Sequence, residues 1–191
     1  MATLMAVTET DLVLQSRQGD RNAYGELVRR HYPGVVRVVF RMCSDTTLAE
    51  DASQEAFIRA WLNLPSYQLT APFRSWLYRI AINVALDQLR RKQEESLEEE
   101  QVMLVKDTAA GPETSLIEKE RAAMIQKAMQ ELPAAARSVL VLREYGELSY
   151  QEIAKALDIP IGTVMSRLNY ARTRLREVLK GVLFQMEGEY E

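Results

Sequence analysis

Between Leu148 and Leu175 the chain reads LSYQEIAKALDIPIGTVMSRLNYARTRL, and few folds accommodate such a stretch. Ser149 followed three residues later by Glu152 is the pattern of a capping box, and Ile153, Ala154 and Leu157 then give a short helix its buried stripe. A tight turn is expected over Asp158 to Gly162, because Pro160 cannot continue the first helix and Gly162 relaxes the backbone. Thr163 is placed to cap a second helix, on which Val164, Leu168, Ala171 and Leu175 recur at helical spacing. Two helices joined in this way make a helix-turn-helix.

The outward positions of the second helix are Ser166, Arg167, Asn169, Tyr170, Arg172, Arg174 and Arg176. These residue types bind phosphate oxygens or the donor and acceptor edges of bases. From Thr163 to Lys180 the formal charge is plus four, from Arg167, Arg172, Arg174, Arg176 and Lys180 against Glu177. A charged helix is most often only a solvated face. The capped partner helix and the short turn favour DNA.

The whole chain, however, carries a formal net charge of −3, so any contact with nucleic acid must come from local patches. Its 191 residues leave room for one ordinary domain or two small ones, and 47% hydrophobic residues suffice to bury cores. A single cysteine, Cys43, excludes an internal disulfide framework, and the lone histidine, His31, leaves no His/Cys cluster for zinc. No apolar run approaches the roughly 20 residues needed to span a bilayer, and MATLMAVTETD lacks the features of a signal peptide, so a cytoplasmic protein is expected. Helical spacing dominates and strand-like alternation is nearly absent. The expected fold is all-α.

Helices are expected at about Thr10 to Gln18, Arg21 to Met42, Leu48 to Leu64, Phe73 to Lys92, Ser115 to Glu131 and Ala134 to Tyr145, ahead of the helix-turn-helix. Pro65, Pro72 and Pro133 fall at the boundaries, and Thr47 with Glu50 forms a further candidate capping box. Composition shifts after Lys92. Gln93 to Glu113 is expected to be a flexible acidic linker between two small helical domains, residues 1–92 and 114–191. From Gln93 to Glu120 the charge is minus seven, nine acidic residues against Lys106 and Lys119, while Val102, Leu104 and Val105 hint at a short contact.

On the third helix Phe57, Ala60, Trp61 and Leu64 form one apolar stripe, and Asp51, Gln54, Glu55, Ile58 and Leu62 spread over another side. Burial between neighbouring helices would explain Ile58 and Leu62 without a partner. The fourth helix carries a core stripe of Phe73, Leu77, Ile80, Ala81 and Val84, and a second stripe of Trp76, Arg79, Asn83, Asp87 and Arg90. Its charge from Phe73 to Lys92 is plus four, Arg74, Arg79, Arg90, Arg91 and Lys92 against Asp87. Aromatic rings among arginines suit a groove for single-stranded nucleic acid, with Tyr67 in the loop beside it. Equally, Trp76 and Tyr78 would serve as ordinary core aromatics.

DASQEAFIRAWLNLPSY followed by FRSWLYRIAINVALDQLRRK, and then LPAAARSVLVLREYGELSYQEIAKALDIPIGTVMSRLNYARTRL, together resemble the bacterial extracytoplasmic-function sigma factors of the sigma-70 family. That resemblance implies a promoter-specificity subunit without catalytic residues, metal or cofactor. It implies that Asp51, Gln54, Glu55 and Ile58 meet the beta-prime clamp helices of core RNA polymerase. Tyr67, Trp76, Arg79, Asn83, Arg90 and Arg91 would then hold the melted minus-ten strand, with one flipped base against the loop Leu64 to Pro72. Ser166, Arg167, Asn169, Tyr170 and Arg172 would read the minus-thirty-five element, Thr163 and Arg174 would hold phosphates, and the second domain would bind the beta flap. Met165 departs from the family pattern, where a basic residue is common. The acidic linker would thread toward the polymerase active site and the RNA exit channel. The family also implies an anti-sigma factor, often membrane-anchored, for which Ile58 and Leu62 suit a competing helix, and no small-molecule substrate.

Two other classes compete. A response-regulator or one-component transcription factor shares the Ser149 to Leu175 pattern, but Asp51 follows a helix start rather than a strand, unlike a receiver phosphoacceptor. A nuclease would need metal-ligand spacing among the carboxylates, which the linker-like acidic run lacks.

Overall fold

The computed structural model describes the backbone of residues 7–98 and 116–188, with side chains for 7–94 and 121–180. Most of the acidic linker, including Val102, Leu104 and Val105, lies outside the described residues. Eight α-helices form among those described: α1 Glu9–Arg17, α2 Arg21–Cys43, α3 Thr46–Asn63, α4 Phe73–Glu98, α5 Leu116–Gln130, α6 Ala134–Glu144, α7 Tyr150–Leu157 and α8 Ile161–Gly188. A 3-10 turn at Leu64–Ser66 follows α3. The all-α expectation holds, and α4 runs six residues further than expected, into the segment read as linker.

Local chemistry explains the starts. Thr8 and Asp11 make a reciprocal capping box for α1, and the carboxylate of Asp20 accepts from the amides of Asn22 and Ala23 to open α2. The expected Thr47–Glu50 box does not form. Asp45, two residues earlier, accepts from Leu48 at 3.1 Å and starts α3 sooner. Its carboxyl is held below the usual range by the Lys92 ammonium at 2.8 Å and by that amide. Pro33 lies inside α2, where its ring removes one backbone donor, yet burial of Leu27, Val35, Val38, Val39 and Met42 carries the helix through. Each such side chain contributes about 1.5–3 kcal/mol when fully buried.

Helices α1 to α4 pack around α2, and α6, α7 and α8 form the helix-turn-helix unit with α5 against α8. These two groups share one apolar core rather than standing apart. Helices α5 and α6 pack on α2, and α7 packs on α4. Tyr78 of α4 is wedged at this junction. A Cβ on Gly34 would lie 2.7 Å from its hydroxyl, and one on Gly146 would lie 3.1 Å from its ring and 2.8 Å from the Leu142 carbonyl. Helix α4 is therefore buried on a second side as well, through Ser75, Tyr78, Ile82 and Ala85.

The carbonyls at the C-terminal end of α2 receive donors from across the junction, although that of Phe40 also accepts from the Ser44 amide. Gln126 of α5 donates to the carbonyls of Phe40 and Arg41 and to Ser44 Oγ at 2.6 Å, while its own Oε1 accepts from Arg41. Arg137 of α6, buried itself, donates to the Met42 carbonyl. Cationic and amide donors suit the negative end of a helix.

Candidate nucleic-acid interface

The outer edge of α3 presents Asp51, Gln54, Glu55, Ile58 and Leu62 in one row at helical spacing. Burial does not account for Ile58 and Leu62, which are 58% and 69% exposed. Helices α2 and α4 cover the opposite side of α3, where Ala49, Ala52, Ala56, Phe57 and Ala60 lie, and leave these two apolar side chains in water. Glu55 is tied to Arg59 at 2.8 Å, and Arg59 also reaches Asp87 of α4 at 3.7 Å.

On α4, Arg79, Asn83, Arg90 and Arg91 are exposed along one face and Trp76 is half-buried beside them. Tyr67 sits differently. It is 4% exposed, its hydroxyl donates to the Ala71 carbonyl, and its ring packs within 4.8 Å of Trp76 and edge-on to Phe73. Tyr67 is therefore a wall rather than a free stacking platform. The wall belongs to a cavity of about 380 Å³ between α1 and the 67–73 loop, whose polar lining includes Glu9, Thr10 and Thr70. Burial, and secondarily the Glu9 charge, push the Tyr67 phenol up. Glu9 accepts from His31 Nε2 at 2.9 Å, with the imidazole packed 5.3 Å from the Phe73 ring. No local pattern marks Glu9 as part of this site, because its partners lie on α2 and in the loop.

In the helix-turn-helix the Ser149–Glu152 box forms as expected, at 3.3 and 2.8 Å. Burial raises the Glu152 carboxyl, but hydrogen bonds from Ser149 and Ser75 and the Arg74 charge outweigh it and hold it below the usual range. Thr163 does not cap α8. The helix begins at Ile161, with the Pro160 carbonyl accepting from Thr163 and Val164, so Thr163 lies in the first turn. The left-handed turn residue is Asp158, at φ 53°, whereas Gly162 is already helical. Asp158 tolerates that conformation through its short polar side chain.

Val164, Leu168 and Ala171 are buried, and Ser166, Asn169 and Thr173 lie on the opposite, exposed side. Tyr170 and Met165 flank them, 50% and 55% exposed. Arg167 is half-buried on one shoulder. Arg172 is paired with Glu144 at 2.7 Å and Arg174 with Glu177 at 3.2 Å, so both arginines exchange a protein carboxylate for any phosphate they take. An apolar groove of about 510 Å³ opens between α5, α6 and α8, with Ile125, Met129, Leu140 and Leu175 in its floor. Cys43 is buried and its thiol pushed up to about 11 by burial, which keeps it protonated and unreactive. No described helix is long and apolar enough to cross a membrane.

Residues 27–95 match Sigma-70 region 2, and residues 122–175 match Sigma-70, region 4. The chain belongs to the sigma-70 family. Within it, this sigma factor is 34% identical over 177 residues to the ECF RNA polymerase sigma factor SigW of Bacillus subtilis (strain 168), covering 88% of this chain and 95% of that one. It is 33% identical to the ECF RNA polymerase sigma-E factor of Escherichia coli (strain K12), over 87% of this chain and 91% of the relative. Among solved structures, it is similar to CnrH in complex with the cytosolic domain of CnrY, with a TM-score of 0.69 and 25% identity over 92% of this chain and 99% of that one. It is equally similar to RpoE bound to the anti-sigma factor NepR from Bartonella quintana, with a TM-score of 0.70 and 25% identity over 82% and 96% of the two chains. The protein is thus an extracytoplasmic-function sigma factor that directs promoter-specific initiation by RNA polymerase. The one-component or response-regulator alternative is set aside, since both sigma regions match in order.

Proposed function

We propose that this sigma factor holds core polymerase through the α3 edge and grips a promoter at two places, with residues 1–92 and 114–191 as the two working units and 93–113 as the tether. Asp51, Gln54, Glu55 and Ile58 meet the beta-prime clamp helices. Trp76, Arg79, Asn83, Arg90 and Arg91 hold the melted minus-ten strand, with Tyr67 walling the cavity that takes one flipped base. Ser166, Arg167, Asn169, Tyr170 and Arg172 read the minus-thirty-five element, supported on phosphates by Thr163 and Arg174. Arginines on an exposed face neutralise phosphates, and stacking on an aromatic ring is worth about 1–3 kcal/mol per base.

The observation that carries this reading is that α4 and α8 pack into the core and each leave a cationic side exposed. Exposed Ile58 and Leu62 beside Asp51 and Gln54 support a protein partner on α3. An anti-sigma factor is the natural competitor for that apolar row, as RpoE is found in complex with one, NepR. The protein then works in the cytoplasm, held at the inner membrane if its inhibitor is anchored there.

In vitro transcription with core polymerase and a promoter library tests the reading. Adding the protein should convert core to promoter-directed initiation. Failure to do so, with tight binding of the protein alone to a duplex operator, overturns it. Asp51→Ala with Gln54→Ala should weaken holoenzyme formation while leaving the fold intact.

A further inference from the structure

Val102, Met103, Leu104 and Val105 form a short apolar run inside the acidic linker, and neither promoter grip uses them. Carboxylates flank the run, Glu99 and Glu100 before it and Asp107 after it.

The groove of about 510 Å³ between α5, α6 and α8 has the complementary chemistry. Its floor is apolar, with Ile125, itself 37% exposed, beside Met129 and Leu175. Its rim on α8 is cationic, because Arg172, Arg176 and Lys180 recur every fourth residue along one side of that helix. Arg172 is paired with Glu144, whereas among the described residues Arg176 and Lys180 have no carboxylate partner. An apolar floor beside unpaired charge of one sign suits a segment that is apolar and oppositely charged.

The linker has the reach to supply it. Residues 99–115 join the end of α4 at Glu98 to the start of α5 at Leu116. The two helices come together at the end of α2, where Lys92 of α4 meets Asp45 at 2.8 Å and Gln126 of α5 meets Ser44 at 2.6 Å. Gln126 is the chain neighbour of Ile125 in the groove floor. Leu104 can stand up to about 20 Å from Glu98 and up to about 40 Å from Leu116. The stretch of α5 from Leu116 to Met129 is only about 20 Å long.

We propose that the linker run Val102 to Val105 is an intramolecular ligand of this groove, its aliphatic side chains on the floor and its flanking carboxylates at the α8 rim. The free protein thereby covers part of α8 with its own chain. Two observations converge on this occupant. The linker holds an apolar run and an excess of negative charge that have no other assigned use, and the groove holds apolar surface and cations that have no partner.

A fluorescently labelled peptide of residues 97–108 is the probe, added to the native full-length chain and to a full-length variant carrying V102S, L104S and V105S. A segment tethered this closely acts at an effective concentration of about 1 mM. A peptide that binds the serine variant with a Kd of about 0.1 mM should therefore bind the native chain about tenfold more weakly. Adding Ile125→Glu to the serine variant should abolish binding by placing a like charge on the floor. Adding Arg176→Glu instead, at an exposed position outside the core, should weaken binding severalfold at low salt. Equal affinity for the native chain and the serine variant overturns the proposal. So does absence of binding to the serine variant at peptide concentrations up to about 1 mM, or binding that neither groove substitution changes. A native chain that sediments as a dimer while the serine variant sediments as a monomer would put the run in the groove of a second copy, and overturns docking within one chain.

Discussion

Arg137 of α6 donates from Nη1 to the main-chain carbonyl of Met42, the penultimate residue of α2, at 2.7 Å. Through Nη2 the same guanidinium also holds the carbonyls of Gln130 and Leu132, at 2.8 and 3.0 Å. One buried cation thereby ties the end of region 2's central helix to the turn that opens region 4's α6. Burial lowers its pKa from the ordinary arginine value, which leaves it charged at any pH where the protein folds. Arg41, stacked 4.6 Å over the Tyr145 ring, adds a second cation to the same seam.

Replacing that guanidinium leaves three carbonyls without their donor. Arg137→Met should cost about 2–3 kcal/mol in chemical denaturation. Because the lost bonds bridge the two regions, small-angle scattering should also show a larger radius of gyration than native protein. A stability loss with no change in size would place the role of Arg137 within region 4 alone.

The α3 row tests differently, because nothing folds around it. Ile58→Ser with Leu62→Ser should change stability by no more than about 0.5 kcal/mol per site, as expected of exposed positions. Affinity for core polymerase should fall at least tenfold in a competition assay. Unchanged affinity would leave the exposure of both side chains without a purpose.

On α8 the exposed centre is Asn169 rather than Arg167. Asn169→Ala should relax preference at one upstream base by about 1–3 kcal/mol. Arg167→Ala should likewise relax preference at an upstream base, whereas Arg174→Ala should weaken all upstream sequences evenly and reduce the salt slope of binding by about 1, as for a phosphate contact. Binding titrations across two salt concentrations separate the two outcomes.

His31 supplies the pH dependence. Burial, helped by Arg74 and Arg30 and opposed by Glu9, holds its pKa below the ordinary 6.5. The unfolded chain therefore binds the proton first, and the stability that neutral His31 contributes is present above that value and lost as pH falls through it to the folded pKa. Thermal melts should drop as pH falls below about 6.5, and His31→Phe should flatten that step. The paired carboxylates of Asp45 and Glu152, both held low, add a separate loss only below their ordinary 3.8 and 4.5.

Much of the site was legible where the determinants are neighbours in the chain. Ser149 and Glu152 are three residues apart, and the buried stripe of α8 repeats within one helix, so both were readable from spacing. The Asp45 cap was missed because a nearer Thr–Glu pair offered the same pattern. Ile58 and Leu62 were ambiguous because an apolar residue on a second helix face reads the same whether a neighbour covers it or not. The second buried side of α4, around Tyr78 and Ile82, has its reason in a helix some 70 residues later, which no local window contains.

What the sequence by itself determined is the set of helices, the Ser149–Glu152 capping box and the two cationic faces, because helical periodicity and capping act over three or four residues. What only the tertiary structure decided is which polar groups meet: Arg137 with Met42, Glu9 with His31, Arg172 with Glu144. Those pairs depend on how helices cross and how closely small residues such as Gly34 and Gly146 let them approach. The crossing is set by burial of the shared core, a non-directional force summed over the whole chain, and no single stretch of residues encodes it.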